Sequence, residues 1–371
     1  MYKLCTCAAS RGLNGRRGHN ESKARGKRSM SLDKERIQRL YAALAGREGI
    51  GNDWLQATDE IYTALERMEG EIGKAVVGKP LVIRQVITAI LAGGHVLMED
   101  VPGVGKTTLA VALSRVMGME YHRMQFTPDV MPSDVVGFCV YNRETGEKEY
   151  VPGSIMCNLF LADEINRTSS KTQSSLLEVM EEGSVTVDGV TRRVPQPFIV
   201  IATQNPVGAA GTQMLPDSQL DRFMIRVSIG YPSGDQEVRM MKDRKTGNPL
   251  DLVRKVMSAE DLLSLRKLAE AVTVDDRLYN YVTELVNATR GHDMLSLGIS
   301  PRGSLAVIAM AKANALIQGR GYVIPEDISS VFAVTTAHRV LLTPVARMNR
   351  VSETEIMAQV LASVVPPRIF G

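Results

Sequence analysis

Five short apolar runs alternate along the chain with segments of helical periodicity, and this alternation narrows the possible folds more than any other feature. A strand buried on both faces of a sheet has a continuous apolar sequence, and alternation with helices is typical of a parallel sheet with helical crossovers. The runs are residues 95–98, 121–126, 159–162, 198–202 and 223–229. The sequence therefore predicts an α/β domain over residues 56–234, followed by a small all-α domain over residues 235–371.

The helices of the second domain have recognisable starting residues. Ser258 and Ser352 can accept hydrogen bonds from the free backbone N–H groups of a first helical turn. Ser300 stands directly before Pro301, the arrangement of an N-cap followed by proline at the first helical position. Pro325 opens a further helix. These signals predict a compact helical bundle rather than a second sheet.

Two hairpins interrupt the α/β pattern. Residues 185–191 alternate between apolar and polar on either side of Asp188-Gly189, which is a strong hairpin signal. Residues 137–151 alternate less regularly around a turn at 142–146. Both are insertions relative to a minimal sheet, and inserted loops are common sites of partner contact.

The net charge of +3 is unevenly distributed. Residues 1–30 contain eight Lys/Arg and one acidic residue, a net charge of +7, which leaves −4 for the rest of the chain. Residues 1–55 are therefore predicted to form a basic, disordered N-terminal extension, with a nucleic-acid-binding arm or a targeting peptide as alternatives. The mildly acidic remainder argues against binding to a phosphate backbone.

The sequence gives little support to a membrane-spanning protein or to a cysteine-based metal site. No apolar run approaches the roughly 20 residues that a helix needs to cross a bilayer. The four cysteines, Cys5, Cys7, Cys139 and Cys157, have neither the spacing of a zinc site nor that of a disulfide framework. We therefore expect a protein of the reducing cytoplasm.

A glycine-containing loop joins the first apolar run to a helix and predicts a phosphate-binding site. Glycines allow backbone N–H groups to turn inward on phosphates, whose charge also suits a helix N-terminus. Lys106 would contact the β and γ phosphates of ATP, and the Thr107 hydroxyl would ligate Mg²⁺. Asp100 stands where the strict motif has its first glycine. The residues predicted to bind the nucleotide here are Pro102, Gly103, Val104, Gly105, Lys106, Thr107 and Thr108.

Two adjacent carboxylates follow the third apolar run. Asp163 would hold Mg²⁺ through water, and Glu164 would polarise the attacking water. The alternative is that both residues cap the next helix, where negative charge also suits the dipole. Together with the glycine loop, the pair favours the catalytic interpretation.

Three further polar residues each allow two interpretations from their chemistry. Asn205 follows a buried strand and could orient the water, or it could be a turn residue before Pro206. Arg222 could stabilise a transferring phosphoryl group, or it could form a surface salt bridge with Asp221. Arg302 lies in the first turn of a helix, where a cation opposes the dipole, and is either a phosphate ligand or a solvated arginine.

The order of these motifs resembles that of AAA+ ATPases, and the residues within them are similar to those of the MoxR family. The resemblance covers about residues 60–345. The motifs that carry it are Gln125-Phe-Thr-Pro128-Asp129, Pro132-Ser133-Asp134, Ala162-Asp-Glu-Ile-Asn166-Arg167, Ala202-Thr-Gln-Asn-Pro206, Leu220-Asp-Arg-Phe223 and Ser300-Pro-Arg302.

The resemblance implies roles for particular residues. Asn205 would be sensor 1, Arg222 an arginine finger that acts on the ATP of a neighbouring subunit, and Arg302 sensor 2. Val77 and Gly78 would lie near the adenine. The fold implied is a P-loop αβα domain with a helical lid, and the assembly implied is a homo-oligomeric ring, expected to be a hexamer.

The resemblance also implies a function. MoxR proteins act as chaperones in the assembly or activation of other proteins, often with a partner that carries a von Willebrand factor A domain. We therefore expect ATP hydrolysis that remodels a protein client, without nucleic acid as a partner. Two alternatives are a motor subunit of the magnesium-chelatase type and a nucleic-acid-dependent motor, although the only basic pair on the hairpins is Arg192-Arg193.

Overall fold

The computed structural model describes residues 52–144, 146–205, 215–243 and 247–368. Residues 1–51 of the predicted extension lie outside this part of the chain, as does Pro206 of the predicted Asn-Pro motif. The first described helix begins at Asn52, within the last residues of the predicted extension. No helix of the described ranges is both long enough and apolar enough to cross a membrane.

The strands of the described residues belong to one central sheet and three two-stranded pairs. In chain order they are β1 (Val96–Glu99), β2 (Tyr121–Gln125), β3 (Gly137–Tyr141), β4 (Lys148–Pro152), β5 (Leu159–Asp163), β6 (Ser184–Val187), β7 (Val190–Arg193), β8 (Ile199–Gln204), β9 (Ile225–Val227), β10 (Leu295–Leu297) and β11 (Leu341–Leu342).

The central sheet has the order β2-β5-β8-β1-β9, and all of its neighbouring strands are parallel. Every residue of β5 and β8 is buried, which explains why these strands have continuous apolar sequences. The predicted parallel sheet is therefore confirmed. The last apolar run extended over residues 223–229, whereas β9 is only three residues long.

Helices cover both faces of this sheet. In chain order they are α1 (Asn52–Gly73), α2 (Pro80–Leu91), α3 (Lys106–Met117), α4 (Pro132–Val136), α5 (Ser170–Glu182), α6 (Asp217–Leu220), α7 (Gly234–Asp243), α8 (Ala259–Ala271), α9 (Asp276–Arg290), α10 (Pro301–Ile317), α11 (Pro325–Thr336), α12 (Pro344–Met348) and α13 (Glu353–Ser363).

Alternate residues of the central strands enter two different hydrophobic cores. Leu159 and Leu161 of β5 pack into a core that also contains α1 to α3 and the C-terminal helices. Phe160 and Ala162 of the same strand pack into a second core with α5. This alternation follows from the two-residue period of a strand, and it produces the three layers of the predicted αβα fold.

The C-terminal helices form the predicted lid, and the predicted caps are present. The Ser258, Ser300 and Ser352 hydroxyls each accept a hydrogen bond from a backbone N–H in the first turn of α8, α10 and α13. The lid also contains the short antiparallel pair β10-β11, so the predicted all-α domain is not entirely helical. Strands of two and three residues are too short to leave a periodic pattern.

The two predicted hairpins are β3-β4 and β6-β7. The second one turns at Asp188 and Gly189, with φ angles of 51° and 76°. Positive φ at both central residues is the signature of a tight hairpin turn that matches strand twist, and Asp-Gly is a preferred sequence for it.

Candidate active site

Three neighbouring strands, β5, β8 and β1, bring the predicted catalytic motifs to one edge of the sheet. Because the strands are parallel, their carboxyl ends lie at the same edge, which is where α/β sheets bind ligands. The glycine loop follows β1, the two carboxylates end β5, and Asn205 follows β8. The fold therefore assembles three segments that are far apart in the sequence.

The glycine loop has a backbone that only glycine adopts readily at two positions. Gly103 and Gly105 have φ angles of 87° and 103°, in the left-handed region. Helix α3 begins directly afterwards at Lys106, so its free N–H groups face the loop. The Lys106 ammonium donates to the Asp100 carbonyl at 2.7 Å. Burial lowers the pKa of Lys106, against the opposing effect of nearby carboxylates that include Asp163.

A cavity of about 710 Å³ lies beside the loop. Its wall includes six of the predicted nucleotide residues, which are Val77, Pro102, Gly103, Val104, Gly105 and Thr108. Gly78, Lys106 and Thr107 do not line it. The segment that leads into the lid also lines the cavity, through residues that include Ile229, Tyr231 and Pro249. A volume of this size suits a drug-sized ligand.

Asp100, the departure from the strict glycine motif, connects the loop to that same segment. Its buried carboxylate accepts hydrogen bonds from the Ser228 hydroxyl at 2.7 Å, the Ile229 N–H at 2.5 Å and the Gly230 N–H at 3.1 Å. Glycine could not make these contacts. The carboxylate thus fixes the start of the connection to the lid against the glycine loop.

Replacing Asp100 by alanine should destabilise the protein by about 2 to 4 kcal/mol. The buried Ile229 N–H costs about 1 to 3 kcal/mol without an acceptor, and the part-buried Ser228 and Gly230 donors cost less because water can reach them. The measurement is the free energy of unfolding in urea. Glu178→Ala removes an exposed carboxylate on α5 and should change that energy by less than about 0.5 kcal/mol. An equally small change in Asp100→Ala would contradict the structural role.

Asp163 is the last residue of β5, and both of its carboxylate oxygens accept hydrogen bonds. The Thr203 hydroxyl donates to Oδ1 at 2.6 Å, and the Arg123 guanidinium donates to Oδ2 at 2.7 Å. Thr203 also accepts from the Glu164 backbone N–H at 2.9 Å, so it joins the end of β8 to both acidic residues. Asp163 is buried, while the side chain of Arg123 is 44% exposed.

Glu164 holds its carboxylate among three donors. Arg167 donates to Oε2 at 2.7 Å, Gln125 donates to the same oxygen at 3.3 Å, and Asn205 donates to Oε1 at 3.1 Å. The hydrogen bond from Arg167 is the main cause that holds the pKa of Glu164 below its usual value; burial opposes it, and Asn205 and Gln125 reinforce it. The carboxylate is therefore ionised at neutral pH.

The helix-cap alternative for Glu164 does not match the geometry. Its side chain makes no capping hydrogen bond to the short 3₁₀ turn that follows. The next α-helix, α5, is instead capped by Ser169, whose hydroxyl accepts from the Thr172 N–H. Glu164 also has a φ of 57°, in the left-handed region that is strained for a residue with a side chain and that is often found at functional sites.

Arg222 and Arg302 lie together and apart from the cavity. Both guanidiniums contact the carboxylate of Glu181 on α5, at 3.3 Å and 3.1 Å. The alternative partner of Arg222, Asp221, instead pairs with the buried Arg339. Neither arginine lines the cavity beside the glycine loop.

Sequence reasoning missed four residues of this region, which are Arg123, Arg167, Glu181 and Thr203. Arg167 was part of a recognised motif, but the motif gave it no role. The contacts of Arg123 and Glu181 join residues about 40 or more positions apart, and such contacts leave no periodic signal in one sequence. Asp100 did carry a signal, since it breaks a glycine motif.

Known proteins resemble this chain over most of its length. The ATPase family associated with various cellular activities (AAA) matches residues 95–225, and the AAA lid domain matches residues 287–360. The Bacillus subtilis protein YeaC is 45% identical over 83% of this chain and 97% of its own. The chaperone MoxR1 of Mycobacterium tuberculosis is 38% identical over 84% of each chain. The crystal structure of a candidate ATPase from Cytophaga hutchinsonii has a TM-score of 0.78 at 36% identity, covering 84% of this chain and 97% of that one.

Proposed function

Because the chain belongs to the MoxR family of AAA+ ATPases, we propose that it hydrolyses Mg-ATP between the subunits of a hexameric ring and uses the energy to remodel or activate protein clients. The observation that carries this proposal is the position of Glu164. Its carboxylate is bonded to Asn205 at the sheet edge where the glycine loop begins. An ionised carboxylate there suits the activation of water.

In this proposal the glycine loop binds the phosphates. Gly103 and Gly105 let backbone N–H groups face the phosphate oxygens, and Lys106 exchanges its bond to the Asp100 carbonyl for the β and γ phosphates. Val77 lines the cavity, and it would lie near the adenine together with the neighbouring Gly78. The size of the cavity supports this assignment.

Thr107 and Asp163 fit a magnesium ion by the chemistry of their oxygen donors. Mg²⁺ is usually bound through one or two carboxylates together with substrate phosphates. Across the described ranges no group of three or more His, Cys, Asp or Glu side chains could hold a metal alone, so the phosphates of ATP would complete the ligand set. The Oδ1 atom of Asp163 accepts one hydrogen bond, from Thr203, and can accept again, whereas Oδ2 accepts two, from Nε and Nη2 of Arg123. When bound, Mg²⁺ supplies positive charge that offsets the charge of the transferring phosphoryl group.

Glu164 and Asn205 would orient and activate the attacking water. Glu164 accepts its proton, and the Asn205 amide fixes the carboxylate. The Asn205 Oδ1 atom is buried and has no hydrogen-bond partner among the described residues, so it can accept from the same water. The hydrogen bond from Arg167 to Oε2 of Glu164 must break for the carboxylate to act as a base through that oxygen.

We assign Arg222 and Arg302 to the ATP of the neighbouring subunit. Both lie away from the cavity of their own chain, and both are partly exposed. A guanidinium that approaches from the next subunit would stabilise the charge of the transferring phosphoryl group. This arrangement makes hydrolysis depend on ring assembly.

The paired hairpins are the proposed contact with the protein client. They pack on each other through Lys148 and Asp188, 3.1 Å apart, and through the Arg192 guanidinium, 4.1 Å from the Tyr150 ring centre. Phe138 on the first hairpin is exposed. We propose a cytoplasmic protein client, reached directly or with a partner that carries a von Willebrand factor A domain.

The proposed function predicts ATP hydrolysis that requires Mg²⁺ and whose rate does not change when DNA is added. Phosphate release by the full chain should stop in EDTA and return with excess Mg²⁺. In a chain that begins at Met30, duplex DNA at physiological salt should leave the rate unchanged. Residues 1–30 carry a net charge of +7 and the whole chain +3, which leaves −4 for the remainder. The same samples should show a six-subunit mass by native mass spectrometry with ATP. Strong stimulation by DNA would favour a nucleic-acid motor instead.

A further inference from the structure

Glu181 joins two arginines that come from different parts of the fold. Its Oε2 atom lies 3.3 Å from Arg222, which precedes β9, and its Oε1 atom lies 3.1 Å from Arg302, which belongs to lid helix α10. Glu181 itself lies in the last turn of α5. One carboxylate therefore brings together three elements of the chain.

The backbone beneath this cluster is held by a second set of contacts. The side chain of Arg339 is 2% exposed and is paired with Asp221. Arg339 also donates to the Phe223 carbonyl at 2.7 Å. The Ser300 hydroxyl donates to Asp221 at 2.9 Å. These bonds hold the residues on either side of Arg222 and the N-cap residue of α10, but the long side chains of Arg222 and Arg302 would still be free to separate.

Electrostatics explains the need for a carboxylate between them. Two guanidiniums held this close repel each other, and a shared carboxylate offsets that repulsion. The side chains of Arg222, Arg302 and Glu181 are 29%, 44% and 42% exposed, so the cluster is open to solvent on one side. Each arginine can therefore bond to Glu181 and still present N–H groups outward.

We propose that Glu181 is a positioning residue that holds Arg222 and Arg302 as one preorganised unit for the phosphates of a neighbouring subunit. This inference rests on the proposed intersubunit function. Glu181 itself does not touch the nucleotide. It fixes the geometry of two cations that do, and preorganised charge costs no reorganisation at the moment of reaction.

The effect of losing Glu181 should fall on kcat and not on KM for ATP. In Glu181→Gln the two guanidiniums separate, and a misplacement of about 1 Å can cost about 10²-fold in rate. The cavity that binds ATP in the same chain does not include this cluster, so KM should change by less than about twofold. Glu181→Asp keeps the charge and should restore part of kcat.

The experiment compares Glu181→Gln with Glu182→Gln, which removes the next carboxylate on the same helix and should behave as wild type. Subunit mixing then locates the defect. Glu181→Gln binds ATP and offers a poor arginine pair, so it should recover activity with Lys106→Ala subunits, which offer a good pair. It should not recover with Arg222→Ala subunits.

The possible failures can be told apart. Wild-type kcat in Glu181→Gln, or equal loss in Glu182→Gln, overturns the positioning role. Loss of kcat without recovery by Lys106→Ala also overturns it, provided that Arg222→Ala subunits do recover with Lys106→Ala. If that last pair also fails to recover despite subunit exchange, the intersubunit function itself is wrong, and this inference falls with it.

Discussion

Glu164→Gln subunits should bind ATP and retain it without hydrolysis. Glutamine keeps the size of the side chain but cannot accept the proton of the attacking water, and a general base contributes about 10² to 10⁴ in rate. The glycine loop and its cavity are unchanged, so ATP should still bind. Equilibrium binding of a fluorescent ATP analogue and phosphate release, measured on the same preparation, separate the two steps.

Glu178→Gln is the matched control for this substitution. It removes an exposed carboxylate from α5, beyond the site, and should hydrolyse ATP at the wild-type rate. If Glu164→Gln hydrolyses ATP as fast as this control, Glu164 has only a structural role. Because ATP should persist in the Glu164→Gln ring, that variant is also the best bait for a protein client.

The central sheet and the caps of the lid could be predicted because their signals are local. Continuous burial of β5 and β8 requires apolar runs, and a serine before a helix needs only its own first turn to form a cap. The order of the strands was not specified by such local signals. It follows from the crossovers, which place β1 between β8 and β9.

The roles of the individual site residues depended on contacts that no local pattern encodes. Asn205 left two interpretations open in the sequence, and its bond to Glu164 across two strands favours the catalytic one. Arg222 also allowed two interpretations, an arginine finger or a salt bridge with Asp221. Asp221 pairs with Arg339 instead, which argues against the salt bridge. The first contact depends on β5 and β8 lying side by side in the sheet, and the second depends on how the lid packs against the sheet. One sequence specifies neither.

Subunits that carry Lys106→Ala and subunits that carry Arg222→Ala should each be inactive alone and should recover activity when mixed. The first variant loses the charge that faces the β and γ phosphates, so it cannot bind ATP, but its arginines are intact. The second binds ATP but lacks the finger. Some interfaces of a mixed ring then pair the ATP of one variant with the Arg222 of the other.

The recovered activity should be easy to detect. An arginine finger contributes about 10³ to 10⁵ in rate, so the unmixed variants should have almost no activity against which the mixture is compared. Subunit exchange is verified first, by the entry of a fluorescently labelled subunit into unlabelled rings. Arg347→Ala, which removes an exposed arginine of α12, should be fully active alone and shows that loss of an arginine is not itself harmful. Arg222 lies with Arg302 and Glu181, away from the cavity of its own chain, which is why the phosphate of a neighbouring subunit is its proposed target. Absence of recovery in rings with proven exchange would mean that Arg222 acts within its own subunit, and hydrolysis could then no longer be assigned to the interface.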